Sequence, residues 1–515
     1  MARLLATFLP VVVAAFVLVV PVGADQPQWG ELYTRNMISA ETNLPTTFDP
    51  GRRDPGTGEI VLPEGSGVRW AARLGGQTCG TPIVAGGRVF VGTNNDRPRD
   101  DRIQGDRGVL MCFDEKTGEF LWQLAVPKLL EVKWSDWRGM GFLSPPTVEG
   151  DLAYAVTNRC QVVCLDAHGL ANGNEGPFTD ESQFIVPPGG PPLEPTEQCG
   201  DIIWLFDIYK GLGVEPHNAS NGSVLLHGNL LYVPTSNGVE WTHSRVINPE
   251  APSLIVLDKR NGKLIAHDDF GIGPDITHGQ WSSPALGVVG GRTLVFYGAG
   301  NGCLYAAEAL DQQRLPESDL PVLLKNVFKF NGEPRAQTED HVPRDHQHDS
   351  VSYQVTAKPV FHQDRVYCVF TQEAFHNKKE GWLVCIDATQ TGDITRSGIV
   401  WSYDGLGSSV STPAIAGGLL YVADFFGRMH CLDAETGEVA WVHPIDQPVW
   451  GSPLAADGKV YLGTGRETFW VFRAGRQLEV LERIRVNDAI HTTPTAANGT
   501  LFIATGRHLY AVDGR

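Results

Sequence analysis

A short unit of four predicted β-strands repeats along most of this chain, and it limits the fold more than any other feature. The clearest copy spans residues 407–441, where the runs 411–416, 419–423, 429–433 and 438–441 are joined by tight turns that contain Gly. Four short strands within about forty residues are typical of one blade of a β-propeller. One blade cannot bury both faces of its sheet, so further copies must be present.

The turn between the first and second strands of the unit is the easiest part to count. Pairs such as Gly-Gly, Asp-Gly and Asn-Gly favour the positive φ angles of two-residue hairpins. Turns of this kind occur at 86–87, 150–151, 228–229, 290–291, 363–364, 417–418, 457–458 and 498–499. The sequence therefore predicts an all-β protein, folded as a single eight-bladed β-propeller of four-stranded antiparallel blades.

The two ends of the repeat region complement each other. The last unit stops after three strands, at Asp513, whereas an extra predicted strand at 68–74 precedes the first complete unit. This strand carries Trp70 at the position that Trp122 and Trp441 hold in their units. Pairing it with the last strand would close the ring and leave no exposed blade edge. We therefore predict three segments: a signal peptide at 1–24, an irregular amino-terminal arm at 25–67, and the propeller at 68–515.

Residues 1–24 have the features of a secretory signal. An apolar run follows Arg3 and ends at a small-residue site at 22–24. We expect cleavage before Asp25, although the run approaches the length of a membrane anchor. No cysteine precedes Cys79, which argues against a lipid anchor. The sequence thus predicts an exported protein, periplasmic or extracellular, with no integral membrane segment after cleavage.

Charge and cysteine positions exclude several other interpretations. The net charge of −18 argues against nucleic acid or an anionic membrane surface as a partner. Four cysteines occupy the same strand position in different units, namely Cys112, Cys164, Cys385 and Cys431. Equivalent positions in separate blades are too far apart for a disulfide, so we expect these residues to be buried apolar side chains.

Two of the repeats resemble a known family. The sequence Cys-Leu-Asp-Ala-Glu-Thr-Gly-Glu-Val-Ala-Trp at 431–441 and its counterpart at 112–122 resemble the PQQ-type propeller repeat with its tryptophan-docking motif. That repeat is found in quinoprotein alcohol dehydrogenases and in the outer-membrane assembly protein BamB. As a whole, the chain looks like the large exported PQQ-like repeat proteins of planctomycete-type bacteria. The resemblance implies that the Trp residues pack between blades.

The resemblance does not by itself imply that a cofactor is bound. Quinoprotein dehydrogenases typically hold a disulfide between adjacent cysteines over the quinone, and this sequence has no Cys-Cys pair. The Cys-x-x-Cys-His motif for haem attachment is also absent. A quinone needs an aromatic floor, a lid and cationic partners; Trp281 or Trp450 could provide the floor and Arg466 a cation, but nothing supplies the lid. We predict no cofactor, with PQQ and calcium as the alternative.

Polar and aromatic residues gather in the loops at one mouth of the predicted channel. The loops that enter the first strands share a face with the loops between second and third strands, and propellers usually bind ligands there. The predicted ligand-binding residues are Asn94, Arg159, His217, Asn237, His278, Gln280, Trp281, Asp424, Trp450, Arg466 and His491. We expect Gln280, Trp281 and Asn237 to project at the rim of this mouth.

A histidine-rich loop is the strongest metal candidate in the sequence. His341, His346 and His348 lie close together with several aspartates, but their spacing fits a solvated loop better than a known ligand motif. We therefore predict no metal site.

Three functions remain open from the sequence. The first is a non-catalytic scaffold in the cell envelope, BamB-like, that binds a protein or a small molecule at one mouth of the propeller. The second is a PQQ-dependent alcohol or sugar dehydrogenase. The third is a carbohydrate-binding module, because Trp-lined mouths suit sugar rings.

Overall fold

Eight antiparallel sheets form a ring in the computed structural model, which describes residues 24–129, 134–186, 190–191, 193–314, 320–339, 352–373 and 379–514. The first strand of each sheet is the innermost and the fourth lies towards the outside. The predicted fold class, an eight-bladed propeller of four-stranded blades, is therefore confirmed. Among the described residues, no helix is long and apolar enough to cross a membrane.

The strands of each blade follow in chain order. Blade 1 contains Ile83–Ala85, Arg88–Asn94, Arg107–Asp114 and Phe120–Pro127; blade 2 contains Thr147–Glu149, Leu152–Val156, Gln161–Asp166 and Asp201–Asp207. Blade 3 contains Leu225–His227, Leu230–Pro234, Leu254–Asp258 and Leu264–His267; blade 4 contains Ala285–Val289, Arg292–Gly298, Cys303–Glu308 and Asn326–Asn331. Blade 5 contains Val360–His362, Arg365–Thr371, Gly381–Asp387 and Ile399–Tyr403; blade 6 contains Ala414–Ala416, Leu419–Ala423, Arg428–Asp433 and Val439–Pro444. Blade 7 contains Leu454–Ala456, Lys459–Gly463, Thr468–Arg473 and Val480–Arg485; blade 8 contains Thr495–Ala497, Thr500–Ala504, His508–Asp513 and Val68–Arg73.

A few short elements decorate this ring. Val322–Leu323 and Gly392–Asp393 add a fifth, parallel strand to blades 3 and 4. Arg52–Arg53 and Ile60–Val61 form a separate two-stranded ribbon. The described helices are the α-helices Ser182–Ile185 and Ile208–Leu212, and the 3-10 helices Gly169–Asn172, Gly273–Asp275, Gln312–Arg314 and Pro334–Gln337.

The amino-terminal strand closes the ring as the sequence predicts. Val68–Arg73 pairs antiparallel with His508–Asp513, so that Trp70 lies opposite Ala511. Arg69 reinforces this pairing through a salt bridge of 2.5 Å to Asp513. The blade that joins the two ends of the chain is therefore complete.

Indole rings connect neighbouring blades. Trp122 of blade 1 is buried and donates a hydrogen bond from Nε1 to the carbonyl oxygen of Ala167 in blade 2, at 2.8 Å. The same bond, at 2.9–3.1 Å, joins Trp70 to Glu115, Trp204 to Lys259, Trp401 to Ala434 and Trp441 to Gly475. In blades 3, 4 and 7 the equivalent position holds Ala266, Phe328 and Glu482.

The recurring cysteines lie directly across from these tryptophans. Each small thiol faces one large indole in the neighbouring strand, in the pairs Cys112–Trp122, Cys164–Trp204, Cys385–Trp401 and Cys431–Trp441. All nine cysteines of the chain are free. The four recurring cysteines are therefore buried packing residues, as expected from the sequence.

Residues 26–39 run across the centre of the ring, and we call this segment the plug. It makes hydrogen bonds to the innermost part of all eight blades. The partners in blade order are Val84, Val148, Val224, Leu286, Phe361, Ile415, Ala455 and Ala496. Arg35 is fully buried in the plug, and its guanidinium donates to the carbonyl oxygens of Trp29, Val224 and Pro284 at 2.9–3.0 Å. The plug therefore closes the channel on the side of the first hairpins.

Candidate functional site

A cavity of about 860 Å³ lies on the ring axis above the plug, and we call it the axial cavity. Its wall is built mostly from the segments that lead into the first strands, and all eight blades contribute. The lining residues of these segments are Cys79, Thr81, Leu143, Pro145, His217, Asn218, Ala219, Asn221, His278, Trp281, Thr356, Lys358, Val410, Trp450, Gly451, His491 and Thr493. Trp29 of the plug, Trp137, Met140 and residues 241–243 complete the lining. The cavity is blind on the plug side because the plug fills the channel there.

Five tryptophans make this cavity strongly aromatic. Trp137 and Trp241 are well exposed and stack on each other, with ring centroids 6.5 Å apart and an interplanar angle of 15°. Trp450 packs edge-on against His491, at 5.6 Å between centroids. These rings offer flat apolar faces, and the lining also contains four histidines, two asparagines, four threonines and one lysine.

One lysine amine lies at the cavity floor. The Nζ atom of Lys358 lies 3.8 Å from the centre of the Trp29 ring, a close cation–π contact. Burial, together with the nearby charge of Arg35, lowers the pKa of Lys358 to about 7. Among the described lining residues Lys358 is the only lysine or arginine, and none of them is a carboxylate.

Three histidines of the cavity wall form a compact triangle. The ring centroids of His217, His243 and His278 are 4.5–4.6 Å apart, and each pair of rings meets nearly edge to face. One ligand atom from each ring lies within 4.8 Å of the other two. The Nε2 atoms of His243 and His278 are 3.3 Å apart, and the side-chain nitrogen of Asn218 is 3.4 Å from Nε2 of His278.

The backbone of Val239 holds two histidines of this triangle in place. Its carbonyl oxygen accepts a hydrogen bond of 2.7 Å from Nδ1 of His217, and its N–H donates to the carbonyl oxygen of His278 at 2.9 Å. Gly238 permits this close approach, because a Cβ there would lie 2.7 Å from Cβ of His217. Burial, with the neighbouring His278, lowers the pKa of His217 to about 3, so this imidazole is neutral near pH 7.

A carboxylate from blade 5 orients the third ring. Glu373 Oε2 lies 2.5 Å from Nδ1 of His278, and both groups are largely buried. The same oxygen accepts a hydrogen bond of 2.8 Å from the side chain of Gln354. With Nδ1 occupied in this way, Nε2 of His278 is the nitrogen that faces the other two histidines.

A tight turn presents His243 to the other two rings. Glu240 accepts hydrogen bonds from the backbone nitrogens of Thr242 and Ser244 at 2.8 and 3.1 Å, and from the hydroxyls of both residues. His243 itself has a φ of 58°, in the left-handed region that few residues other than Gly adopt. Such conformations persist where the surrounding structure enforces them, and they cluster at functional sites.

The structure brings together five of the eleven residues that the sequence selected. His217, His278, Trp281, Trp450 and His491 all line the axial cavity. The other six do not line it.

The expectation that Gln280, Trp281 and Asn237 project at the rim was wrong, because all three are buried. Gln280 is 0% exposed; its side-chain nitrogen donates to Ser253 at 2.9 Å, and its oxygen accepts from Tyr297 at 3.2 Å. The entry segment turns inwards before the first strand begins, so its polar side chains bond to the neighbouring strands.

Asn237 and Asn94 anchor loops. Asn237 is fully buried, donates to the carbonyl oxygen of Asn248 at 2.9 Å and accepts from the N–H of Glu215 at 3.2 Å. Asn94 accepts from the N–H of Gly76 at 2.7 Å and donates to the carbonyl oxygen of Gly139 at 2.8 Å. Both amides therefore hold the loops around the cavity in place.

The remaining three predicted residues are placed outside the cavity. Asp424 is fully buried and pairs with Arg428 at 2.6 Å. Arg159 donates to the carbonyl oxygen of Lys128 at 3.3 Å, and Arg466 is exposed. The histidine-rich loop at 341–348, the metal candidate in the sequence, lies outside the described residues.

Several cavity residues had no clear signal in the sequence. Trp29 belongs to the amino-terminal arm, whose irregular sequence does not indicate that it lies inside the ring. Trp137, Trp241 and His243 come from long loops that carry no repeat pattern. Only the concentration of Trp and His in loops at one face indicated that such residues could meet.

Fold and cavity together define the chain as an eight-bladed propeller with a ligand-sized cavity on its axis. The family described as outer membrane protein assembly factor BamB matches residues 56–128 and 379–515. These segments include the two sharpest repeats and most of the tryptophan-docking interfaces. Over these segments the chain is similar to the PQQ-like propeller repeat. No protein with a curated description matches it.

Solved structures show the same ring. BamB from Moraxella catarrhalis superposes with a TM-score of 0.51 at 11% identity, covering 86% of this chain and 99% of that chain. The quinohemoprotein alcohol dehydrogenase from Comamonas testosteroni gives a TM-score of 0.59 at 11% identity, covering 95% and 81%. A europium-containing methanol dehydrogenase gives 0.58 at 11% identity, covering 95% and 98%. At this level of identity the likeness establishes the fold alone.

Proposed function

We propose that the chain is a small-molecule-binding propeller and that its ligand occupies the axial cavity. The observation that carries the proposal is the blind, aromatic cavity of about 860 Å³ on the ring axis. Ligand sites in proteins are typically concave, mostly apolar and roughly 300–1,000 Å³ in volume, with a few placed polar groups. A folded protein partner cannot enter a cavity of this size, so the cavity favours a small molecule over a protein as the ligand.

The lining indicates the chemistry of that ligand. The stacked pair of Trp137 and Trp241 is suited to a flat ring, either an aromatic ring or the apolar face of a sugar. Lys358 adds one amine, and Asn218 and Asn221 add two amides. A ligand with one flat face and a hydroxyl-bearing or anionic edge fits this combination. We propose binding without chemistry as the role of this cavity.

We also propose that the protein works in the cell envelope. The signal-like segment at 1–24 and the family description, which refers to outer-membrane protein assembly, support this location. Mass spectrometry of the protein recovered from the envelope of the producing cell should give a chain that begins at Asp25. A full-length, membrane-embedded chain would contradict cleavage before Asp25.

The alternative, a PQQ-dependent dehydrogenase, is supported by the same fold. The cavity residues do not match what the quinone requires. PQQ carries several carboxylates, whereas Lys358 is the only lysine or arginine among the described lining residues. Calcium binds through oxygen ligands, commonly carboxylates, and none of these lining residues is Asp or Glu. The free cysteines include no adjacent pair that could form a lid.

Dye binding tests the proposal. The mature protein is titrated with 1-anilinonaphthalene-8-sulfonate, which fluoresces in apolar cavities, and we expect saturable binding of one dye per chain. Trp241→Ala should weaken binding at least several-fold, because this ring stands at the cavity mouth. Val288→Ala, at an exposed position outside the cavity, should not change it.

Two results would contradict the proposal. Equal dye affinity in wild type and Trp241→Ala would mean that the dye, and with it the apolar site, lies elsewhere. In a second titration, PQQ with Ca²⁺ is followed by quenching of Trp fluorescence. Saturable quenching, followed by reduction of an acceptor dye with alcohols, would favour the dehydrogenase instead.

A further inference from the structure

The three cavity histidines have the arrangement of a metal site rather than of a random cluster. In a tetrahedral site with Zn–N bonds of about 2.0–2.1 Å, two ligand nitrogens lie roughly 3.3–3.4 Å apart. Nε2 of His243 and Nε2 of His278 are separated by 3.3 Å, which matches this spacing. The third ring, His217, offers a nitrogen within 4.8 Å of both.

The outer contacts of these rings strengthen the case. Metal-binding histidines usually donate their other ring N–H to a carbonyl or carboxylate oxygen, which fixes the ring and the tautomer. His217 has the carbonyl oxygen of Val239 at 2.7 Å from Nδ1, and His278 has Glu373 at 2.5 Å from Nδ1. Both rings thus direct Nε2 towards the common centre.

The histidines converge from three separate loops. His217 precedes the first strand of blade 3, His243 lies between its second and third strands, and His278 precedes the first strand of blade 4. The left-handed backbone at His243 and the close passage of Gly238 beside His217 are local constraints that a loop of merely solvated histidines would not need. Within the part of the chain that the structure describes, this is the one group of His, Cys, Asp or Glu with such ligand geometry.

We propose that His217, His243 and His278 bind one divalent transition-metal ion in the wall of the axial cavity. Three imidazole ligands suit zinc and its neighbours in the first transition row. Three protein ligands leave a fourth position open, as in sites where the metal holds water or an exchangeable ligand. Because all three histidines line the cavity, that position faces the space where we place the organic ligand. An oxygen atom of the ligand can take it.

The site is tested with untagged protein that has been treated with EDTA and dialysed. Titration with Co²⁺ should give one equivalent of bound metal and the intense visible absorption of tetrahedral cobalt, and Zn²⁺ should displace it. His243→Ala should lower the Co²⁺ affinity at least tenfold. This histidine is only partly buried on a loop, so the variant should fold. Glu373→Gln should lower the affinity roughly 10–100-fold, as is usual for the loss of such an outer partner.

His491→Ala is the matched control. His491 lines the same cavity but packs against Trp450, outside the triangle, so the Co²⁺ affinity should stay at the wild-type value. Equal Co²⁺ binding by wild type and His243→Ala would overturn the proposal. So would bound cobalt with only the weak absorption of an octahedral site, or with a thiolate charge-transfer band from Cys79. Absence of binding would mean that the three histidines form a hydrogen-bonded cluster alone.

The result for the metal site can be distinguished from the result for the ligand cavity. Dye binding by metal-free protein, together with no cobalt binding, would remove the metal site and leave the ligand cavity. Tetrahedral cobalt without dye binding would remove the ligand proposal and leave the metal site.

Discussion

Replacing Trp122 tests whether the indole bridges hold neighbouring blades together. This side chain is 1% exposed, and its ring packs against Phe90 with centroids 6.0 Å apart. A Cβ on Gly169 of the next blade would lie 2.7 Å from the Trp122 ring, so the two surfaces fit closely. Truncation of large buried aromatic residues to Ala costs about 3–5 kcal/mol through lost burial and the remaining cavity. We expect a loss of that size for Trp122→Ala.

A second substitution separates the ring from the hydrogen bond. Trp122→Phe keeps an aromatic ring but removes the Nε1–H donor to the carbonyl oxygen of Ala167, now bonded at 2.8 Å. A buried group that loses its partner costs about 1–3 kcal/mol. Trp241→Ala is the control, because Trp241 is 57% exposed and surface substitutions usually change stability by about 0.5 kcal/mol or less.

Urea denaturation of the mature protein, followed by far-UV circular dichroism, measures these differences. The expected order of destabilisation is Trp122→Ala, then Trp122→Phe, then Trp241→Ala with almost no effect. Equal transition midpoints for Trp122→Ala and Trp241→Ala would refute the bridging role. If Trp122→Phe costs as much as the alanine variant, the hydrogen bond and not the packing would dominate.

Three further predictions follow from the structure. Burial raises the pKa of Asp201 to about 6. The charged carboxylate therefore destabilises the fold above about pH 6, and this cost disappears as the pH falls to about 4. Asp201→Asn should stabilise the protein by about 1–2 kcal/mol at pH 7 and little at pH 4, as measured by urea denaturation at both values. Deleting residues 68–74 exposes the edge of His508–Asp513 and should cause aggregation, whereas a soluble, monomeric variant in size-exclusion chromatography would place the closing strand elsewhere. Gln280→Ala should cost about 1–3 kcal/mol because Ser253 and Tyr297 lose a buried partner, and a melting temperature equal to that of the wild type would show that this network is dispensable.

The repeat by itself determined the fold. Two-residue turns such as Gly86-Gly87, with φ of 59° and 75°, need residues that tolerate the left-handed region. The turns can therefore be recognised from the residue types at these two positions. The pairing of Cys112 with Trp122 recurs for a similarly local reason, because a small residue must face a large one across the same two strands. Ring closure followed from counting strands, since an exposed blade edge is unfavourable in water.

The face of the propeller that carries the axial cavity could be predicted only in outline. His217, His278 and Trp450 were selected because loops at one end of a propeller meet around the channel, and all three do line the cavity. Their exposure could not be predicted, because the depth of each entry segment depends on the neighbouring blades. Gln280 and Asn237 were therefore expected at the rim, although both are buried with their hydrogen bonds satisfied inside the protein.

Only the tertiary structure decided the floor of the cavity and the histidine triangle. The plug is irregular in sequence, and its conformation is set by hydrogen bonds to eight blades that lie far from it along the chain. His217, His243 and His278 are separated by 26 and 35 positions and lie in loops without periodicity. No spacing rule links such residues. Their convergence results from the ring, which directs loops from separate strands and neighbouring blades to one point on its axis.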